Sequence, residues 1–369
     1  MLAAKNLGTC VGSRDNNFNL IRLIAAYSVL VGHSWPLAQG ESVSDPLGRL
    51  TGHHMGALAV EVFFFTSGFL VTGSILSRGN LWAYAKARGL RIFPGLWVAM
   101  ILSVIVLGLG FSSLPAREYF TSSKTLGFLV ETTTFLIRGF DHLPGVFTNN
   151  PAPNAVNGSL WTLPRELKKY ILLGAVWFAS ARLLRDRLPR VGGWQVFDLI
   201  ILGIATVGIG LHFIQHFVGW PHGPVATTGV FFMGAAAYVL RDRIVLRGDW
   251  FFVCLAALLI SSVNEKAFFV AVHLTLAYLV LWLAYIPANA VVRSYNRLGD
   301  YSYGTYIYAF PIQQAVAVLV PGVTPWGMMA WASPVTLVLA VASWHLVEER
   351  ALRLKARVVG ASAPQVRSL

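Results

Sequence analysis

The sequence predicts an all-α membrane protein, a bundle of about ten transmembrane helices with one re-entrant or interfacial segment. The first reason is composition, because 56% of the 369 residues are hydrophobic and only 12% are charged. Soluble proteins average about 25% charged residues. The second reason is arrangement, since apolar runs of roughly 17 to 25 residues recur along the chain, and a bilayer-crossing helix needs that length.

Ten apolar runs are predicted spans, in chain order 18–38, 56–77, 93–113, 160–181, 196–216, 224–240, 250–264, 268–286, 301–320 and 327–347. Residues 125–138 are apolar but too few to cross, so we expect them to be re-entrant or interfacial. Turn-forming residues dominate 139–159, which predicts an outward-facing loop. The expected organisation is an N-terminal tail (1–17), a transmembrane domain (18–349) and a C-terminal tail (350–369).

Basic residues set the expected orientation. The net charge is +13, and most of the 29 lysines and arginines lie in segments on the same side as the two termini. The positive-inside rule then places both termini in the cytoplasm of a bacterial-type inner membrane, with lipid around the bundle. The basic residues occur in short clusters between apolar runs, so they indicate topology and no nucleic-acid partner. The two cysteines show no disulfide or metal-ligand spacing, and we expect no metal site.

Ionisable groups inside spans are costly and usually functional. Arg22 and His33 lie eleven positions apart in the first span, so they share a helix face about 16 Å apart along the axis. The alternative is that Arg22 extends to the inner headgroups and His33 lies in the outer interface.

Two carboxylates are expected at the depth of His33, in the outer third of the bilayer. Glu61 lies a few residues inside the second span, and Glu166 lies one to two turns inside the fourth. A buried carboxylate without a partner is unfavourable, so we predict that both line one cavity with His33. The alternatives are a structural ion pair of Glu61 with Arg22 and an i,i+3 pair of Glu166 with Lys169.

Arg88 and Arg91 lie at the predicted cytoplasmic boundary, three residues apart and on one helix face. Two guanidinium forks in this arrangement suit phosphate groups. The alternative is that the two arginines only add to the positive charge of the cytoplasmic side and bind no ligand.

These segments resemble the acyltransferase-3 family of membrane-bound O-acyltransferases over nearly the whole chain. An Arg, ten residues, His motif falls on Arg22 and His33, and an Arg-x-x-Arg motif falls on Arg88 and Arg91. Two further motifs, FF-x-x-SGF and LW-(T/S)-L-x-x-E, fall on Phe63, Phe64, Ser67, Gly68, Phe69, Leu160, Trp161, Thr162, Leu163 and Glu166.

The resemblance implies an acyltransferase that uses acyl-CoA, acetyl-CoA in the first instance, as the cytoplasmic donor substrate. The acceptor it implies is a hydroxyl of an extracytoplasmic sugar or polysaccharide, and 139–159 is the longest candidate surface for it. His33 is the expected general base, oriented by Glu166 or Glu61. A route through acyl-His33 is also open. The donor-binding residues are expected to be Arg22, Arg88, Arg91, Ser67 and Trp161.

Two other functions fit the same residues. Intramembrane His, Glu and Arg also suit a proton-coupled transporter or a sugar-lipid flippase. A structural scaffold for polysaccharide export would not need His33.

Overall fold

The computed structural model describes residues 4–12, 15–135, 142–183, 193–220, 225–288 and 290–359. Most of these residues are helical. The α-helices are α1 Leu7–Val11, α2 Phe18–Gln39, α3 Pro46–Thr51, α4 Met55–Arg78, α5 Leu81–Leu102, α6 Gly108–Phe111, α7 Ala116–Thr121, α8 Ser123–Thr134, α9 Thr162–Phe178, α10 Val196–Val218, α11 Val225–Val239, α12 Gly248–Ser261, α13 Glu265–Tyr285, α14 Ala290–Ser294, α15 Ser302–Leu319, α16 Pro325–Ser343 and α17 Glu349–Val359. The other elements are the π-helical turns Ser103–Leu107, Ala179–Leu183 and Trp344–Glu348, the 3₁₀ turn Tyr295–Arg297 and the strands β1 Lys5–Asn6 and β2 Val245–Leu246.

Each of the ten predicted spans coincides with a helix, which confirms a multi-span helical membrane protein. Among the described residues, six helical stretches are long and apolar enough to cross a bilayer, and α11 and α12 are shorter apolar helices. The other two predicted spans correspond to α9 and α15.

The third span starts twelve residues earlier than predicted. Helix α5 begins at Leu81 because the Asn80 side chain accepts a hydrogen bond from the Ala83 backbone amide, 3.0 Å away, and caps the helix. Pro94 lies inside the helix and does not end it. The Arg88 and Arg91 side chains therefore project from the same continuous helix as the span.

The segment expected to be re-entrant or interfacial contains α8, whose twelve residues extend about 18 Å. This is too short to cross a bilayer. The helix ends at Thr134, and the following residue, Phe135, adopts the left-handed conformation with φ of 58°. Residues 136–138 of the predicted segment and 139–141 of the predicted loop lie outside the described residues.

The predicted N-terminal tail carries local structure. Strand β1 pairs antiparallel with β2, and the Leu7 backbone amide donates to the Ile244 carbonyl at 2.9 Å. The Asn17 side-chain amide donates to the backbone carbonyls of Leu283, in the last turn of α13, and Pro287, just after the helix, so the tail is bonded to the bundle. Residues 1–3, 13–14 and 360–369 of the two predicted tails lie outside the described residues.

The chain forms two compact units, each assembled from separate segments. The first comprises Met1–Pro36, Glu41–Ser77 and Trp161–Ser302, and the second comprises Leu37–Gly40, Arg78–Leu160 and Tyr303–Leu369. The transmembrane domain expected at 18–349 contributes to both units.

Glycines allow close helix packing in the first unit. A Cβ at Gly68 on α4 would lie 1.9 Å from the Phe231 carbonyl oxygen on α11, and a Cβ at Gly234 would lie 2.1 Å from the Phe65 carbonyl oxygen. Helices α10 and α11 also approach closely at Gly208, where a Cβ would lie 2.8 Å from the Gly229 Cα. Small residues at such crossings bring helix backbones close together.

In the second unit, side chains of α15 and the loop before α9 fix one another. The Gln314 side-chain amide donates to the Ala152 and Ala155 carbonyls at 2.8 and 2.7 Å. The Asn157 amide donates to the Ile307 carbonyl at 2.8 Å. These bonds give the described part of the predicted loop, 142–159, a defined shape.

Candidate functional site

Helix α2 carries His33 where it packs closely against α4. A Cβ at the preceding residue, Gly32, would lie 2.9 Å from the Gly56 backbone nitrogen on the first turn of α4. The His33 ring is partly buried. Imidazole is the side chain that most often acts as a general base in enzymes.

Arg22, on the same helix, forms an ion pair with Asp300. The Arg22 Nη1 to Asp300 Oδ2 distance is 3.1 Å, and the guanidinium lies 5.9 Å from the Phe63 ring centroid. The Asp300 carboxylate also accepts hydrogen bonds from the Ser302 backbone amide, at 3.2 Å, and from its hydroxyl. The sequence-based alternative paired Arg22 with Glu61, and the structure gives Arg22 a different carboxylate. Asp300 went unrecognised because it lies just before a predicted span.

Glu166 is held by two hydroxyl groups. Its Oε1 accepts a hydrogen bond from Ser67 Oγ at 2.7 Å and another from the Tyr170 hydroxyl. The two hydroxyl oxygens lie 2.8 Å apart. Helix α4 supplies Ser67, and one turn of α9 supplies Glu166 and Tyr170, so the cluster follows from packing these helices. Ser67, predicted to bind the donor, is thereby in contact with a predicted catalytic carboxylate.

Lys169 has contacts other than the i,i+3 pair that its spacing allowed. Its ammonium donates to the Arg165 carbonyl at 3.2 Å and lies 4.7 Å from the Phe64 ring centroid. Trp161, another predicted donor-binding residue, is 47% exposed. The Arg165 guanidinium lies 4.4 Å from the Trp161 ring centroid, within cation–π range.

Arg91 has a carboxylate within reach that the sequence did not reveal. Its Nη1 lies 3.8 Å from Glu348 Oε2, and its guanidinium lies about 6 Å from the ring centroids of Tyr303 and Trp344. Glu348 is buried, and its other oxygen accepts a hydrogen bond from Ser343 Oγ at 2.9 Å. Arg88 lies one turn earlier on the same helix and is partly buried. The charge of Arg91 is therefore balanced within the protein.

Glu61 lies beside a histidine that the sequence did not single out. Glu61 Oε1 lies 3.7 Å from Nε2 of His273 on α13. His212 on α10 completes a group in which one ligand atom from each side chain lies within 4.8 Å of the others. The available signal was a histidine within each of two predicted apolar spans, 196–216 and 268–286.

The structure thus joins Ser67 with Glu166, places Arg88 and Arg91 on one turn, and gives Arg22 and Glu61 separate partners. The fold and these ionisable groups define a multi-pass helical membrane protein with polar side chains within each of its two compact units. The chain belongs to the acyltransferase-3 family, because the family model, described as an acyltransferase domain, matches residues 15–345.

Two curated relatives match nearly end to end. The chain is 29% identical to an O-acetyl transferase of Shigella phage Sf6 over 346 residues, 92% of this chain and 96% of that protein. It is 28% identical to nodulation protein 10 of Rhizobium leguminosarum bv. viciae over 375 residues, 93% of this chain and 95% of that protein. No solved structure gives a significant match. The protein is therefore a membrane acyltransferase.

Proposed function

We propose that the protein is a membrane-bound O-acyltransferase that moves an acyl group from cytoplasmic acyl-CoA to a hydroxyl of an extracytoplasmic sugar or polysaccharide. Acetyl-CoA is the first candidate donor. The observation that carries the proposal is the family match over 15–345, which includes the helix with Arg22 and His33. The relative named O-acetyl transferase supports the choice of a hydroxyl acceptor and an acetyl group.

His33 is the proposed general base. Its neutral imidazole takes the proton of the acceptor hydroxyl as the oxygen attacks the thioester carbonyl. The carbon–sulfur bond breaks, and the departing CoA thiolate receives the proton from the imidazolium. Transfer through an acyl-His33 intermediate would use the same residue as the nucleophile.

Glu166 and Glu61 are the two proposed partners for the imidazole. A carboxylate that accepts a hydrogen bond from one ring nitrogen fixes the tautomer and stabilises the cation that forms. The bonds from Ser67 and Tyr170 support Glu166 in this role, because they hold the carboxylate in one position.

Arginines are the proposed ligands of the donor's phosphates. Because Glu348 lies within ion-pair distance of Arg91, we assign the larger share of phosphate binding to Arg88 and a supporting share to Arg91. Arg22, Ser67 and Trp161 are proposed to contact the rest of the donor. The predicted membrane orientation, with both termini in the cytoplasm, places Arg88 and Arg91 on the side where CoA is found.

The loop 142–159 is the proposed acceptor surface. Its hydrogen bonds to Gln314 and Ile307 support this, since a preordered loop loses less conformational entropy when a ligand binds.

The test is acetyl transfer by purified protein in lipid nanodiscs, with isotope-labelled acetyl-CoA and sugar acceptors analysed by mass spectrometry. We expect His33→Ala to lower turnover by at least about 100-fold, the usual scale for loss of a general base. The matched control is His345→Ala, since His345 is half exposed and interacts with Glu349 on its own helix. Full activity of His33→Ala would refute the assignment. Absence of acyl transfer and acyl-CoA hydrolysis by the wild-type protein would favour the transporter alternative.

A further inference from the structure

Three side chains of types that can bind a metal ion, from three helices, meet inside the first compact unit. Glu61 lies six residues from the start of α4, His212 six residues from the end of α10, and His273 eight residues from the start of α13. At 1.5 Å per residue these positions are about 9 to 12 Å from the ends of their helices. One ligand atom from each residue lies within 4.8 Å of the others.

A backbone hydrogen bond fixes the tautomer of His273. Its Nδ1 lies 2.8 Å from the Phe269 carbonyl oxygen, which can only accept, so Nδ1 carries a proton. In the neutral ring Nε2 then presents a lone pair. This is the arrangement of most metal-binding histidines, in which one nitrogen donates to a carbonyl and the other binds the ion.

The distance between His273 and Glu61 suits a shared cation better than a direct hydrogen bond. Nε2 of His273 and Oε1 of Glu61 are 3.7 Å apart, beyond the normal hydrogen-bond range of 2.7–3.2 Å. Within the part of the chain that the structure describes, Glu61 Oε2 and His273 Nε2 are buried and make no hydrogen bond. Two ligands of a tetrahedral zinc ion with bonds of about 2.0 Å lie about 3.3 Å apart.

Aromatic rings surround the two histidines. The His212 ring packs edge-on against His273, with centroids 4.8 Å apart, and against Phe269 at 5.1 Å. The Phe213 ring lies 5.6 Å from His273. The His273 side chain is 1% exposed and that of Glu61 is 15% exposed. An apolar surrounding of this kind fixes the rings and strengthens electrostatic attraction to a cation.

We propose that Glu61, His212 and His273 form a binding site for a divalent transition-metal ion, with Zn²⁺ as the preferred occupant. Two imidazoles and one carboxylate are a ligand set that zinc accepts, and the fourth position is left for water or another ligand. The ligand atoms, which lie within 4.8 Å of one another, must move to about 3.3 Å apart when the ion binds. The imidazole and carboxylate nature of the set excludes Mg²⁺ and Ca²⁺ as preferred ions, since these select oxygen ligands.

The test measures metal in the full-length protein without any acyl donor, so it is separate from the acyl-transfer proposal. Protein in detergent is stripped with a chelator, reloaded with Zn²⁺ or Co²⁺, and passed through a desalting column. We expect a single equivalent of zinc by elemental analysis and the visible absorption of tetrahedral Co²⁺. His212→Ala, His273→Ala and Glu61→Gln should each lower metal affinity by at least about 100-fold, more than loss of an outer hydrogen-bonding partner.

His216→Ala is the matched control. His216 is on the same helix as His212, one turn away, and stacks on Phe269 with centroids 3.7 Å apart, but it is outside the ligand set. We expect it to retain the metal. Glu61→Gln keeps the side-chain volume, so its loss of metal can be measured even if a histidine variant fails to fold. Absence of stoichiometric zinc in the wild-type protein, or equal loss in Glu61→Gln and His216→Ala, would overturn the proposal and leave the cluster as a proton-sharing group.

Discussion

At the residue scale, the charges inside the bundle are organised as local pairs. Arg22 pairs with Asp300, Arg91 lies close to Glu348, and Glu61 lies beside His273. Isolated charges in an apolar medium cost several kcal/mol. Each pair therefore explains how an ionisable residue is tolerated in a span. The pairing alone does not assign a function to any of these residues.

Glu166→Gln tests the carboxylate that Ser67 and Tyr170 hold. The glutamine oxygen can still accept from both hydroxyls, so the free energy of unfolding should change by less than about 1 kcal/mol. Turnover should fall at least about tenfold, because the negative charge that would stabilise the His33 imidazolium is gone. Steady-state kinetics and thermal unfolding check the two parts. Glu118→Gln, at an exposed position, is the control.

Combining each carboxylate variant with His33→Ala distinguishes Glu166 from Glu61. Residues that act as a unit have non-additive effects. Replacing the carboxylate that orients His33 should therefore cause little further loss of turnover once the imidazole is absent. Additive losses for both carboxylates would remove both from this role.

Arg88 and Arg91 should differ in stability as well as in donor binding. Arg88→Ala should raise the KM for acetyl-CoA, and lysine should restore binding poorly because the bidentate fork is lost. Arg91→Ala should in addition lower the free energy of unfolding by about 3 kcal/mol, because it removes the cation that lies 3.8 Å from the buried Glu348 carboxylate. The double variant Arg91→Ala/Glu348→Gln should recover that stability. If the KM for acetyl-CoA were unchanged in both single variants, the two arginines would not bind the donor and would serve only to set the membrane orientation.

At the scale of helices, backbone contact explains one of the family motifs. Gly68 lies within the segment that matches FF-x-x-SGF, and there α4 and α11 pack with glycine facing a carbonyl from each side. A glycine is needed here for helix packing, because a Cβ would clash with the backbone of the neighbouring helix, which cannot move aside as a flexible side chain can. The preceding residue, Ser67, contacts Glu166 and Tyr170 on α9.

Gly68→Ala tests the contact. Its Cβ would lie 1.9 Å from the Phe231 carbonyl oxygen, so the helices must separate, and the free energy of unfolding should fall by about 1–3 kcal/mol or more. Gly203→Ala on α10 is the matched control, since nothing lies within 4 Å of its Cβ. Removing a flexible helical glycine should stabilise the protein by about 0.5–1 kcal/mol. Equal melting temperatures for the two variants would contradict the packing of α4 on α11.

At the scale of the whole molecule, the chain alternates between its two compact units. The first unit contains the Glu61, His212 and His273 cluster and the Glu166 cluster, and the second contains the Arg91–Glu348 pair and the ordered loop before α9. Residues distant in sequence form each of these sites, so neither unit could be predicted from one continuous segment of the sequence.

Membrane orientation is a prediction for the whole molecule. The positive-inside rule places the N-terminal tail in the cytoplasm and the loop after α2 outside. In a protein with Cys10 and Cys254 replaced by serine, Glu41→Cys should react with a membrane-impermeant maleimide in intact spheroplasts. Gly12→Cys should react only after the membrane is opened. The reverse pattern would invert the orientation and move the proposed donor site to the wrong side for CoA.

The sequence by itself determined the class of fold, the positions of ten apolar helices and the family. These depend on hydropathy over about twenty residues and on motifs within single spans, which are local properties. The start of α5 at Leu81 needed the Asn80 cap, a detail that apolar length does not record.

Only the tertiary structure decided which charged groups are partners. Apolar length and residue counting gave the depths of Glu61 and Arg22, but the rotation of each helix decides which face meets a neighbour. The rotation of the helices therefore places Glu61 beside His273, Arg22 beside Asp300, and Glu166 beside Ser67 and Tyr170. The three members of the proposed metal site are far apart in the chain and show no ligand spacing. Packing of α4, α10 and α13 is the physical reason that they meet.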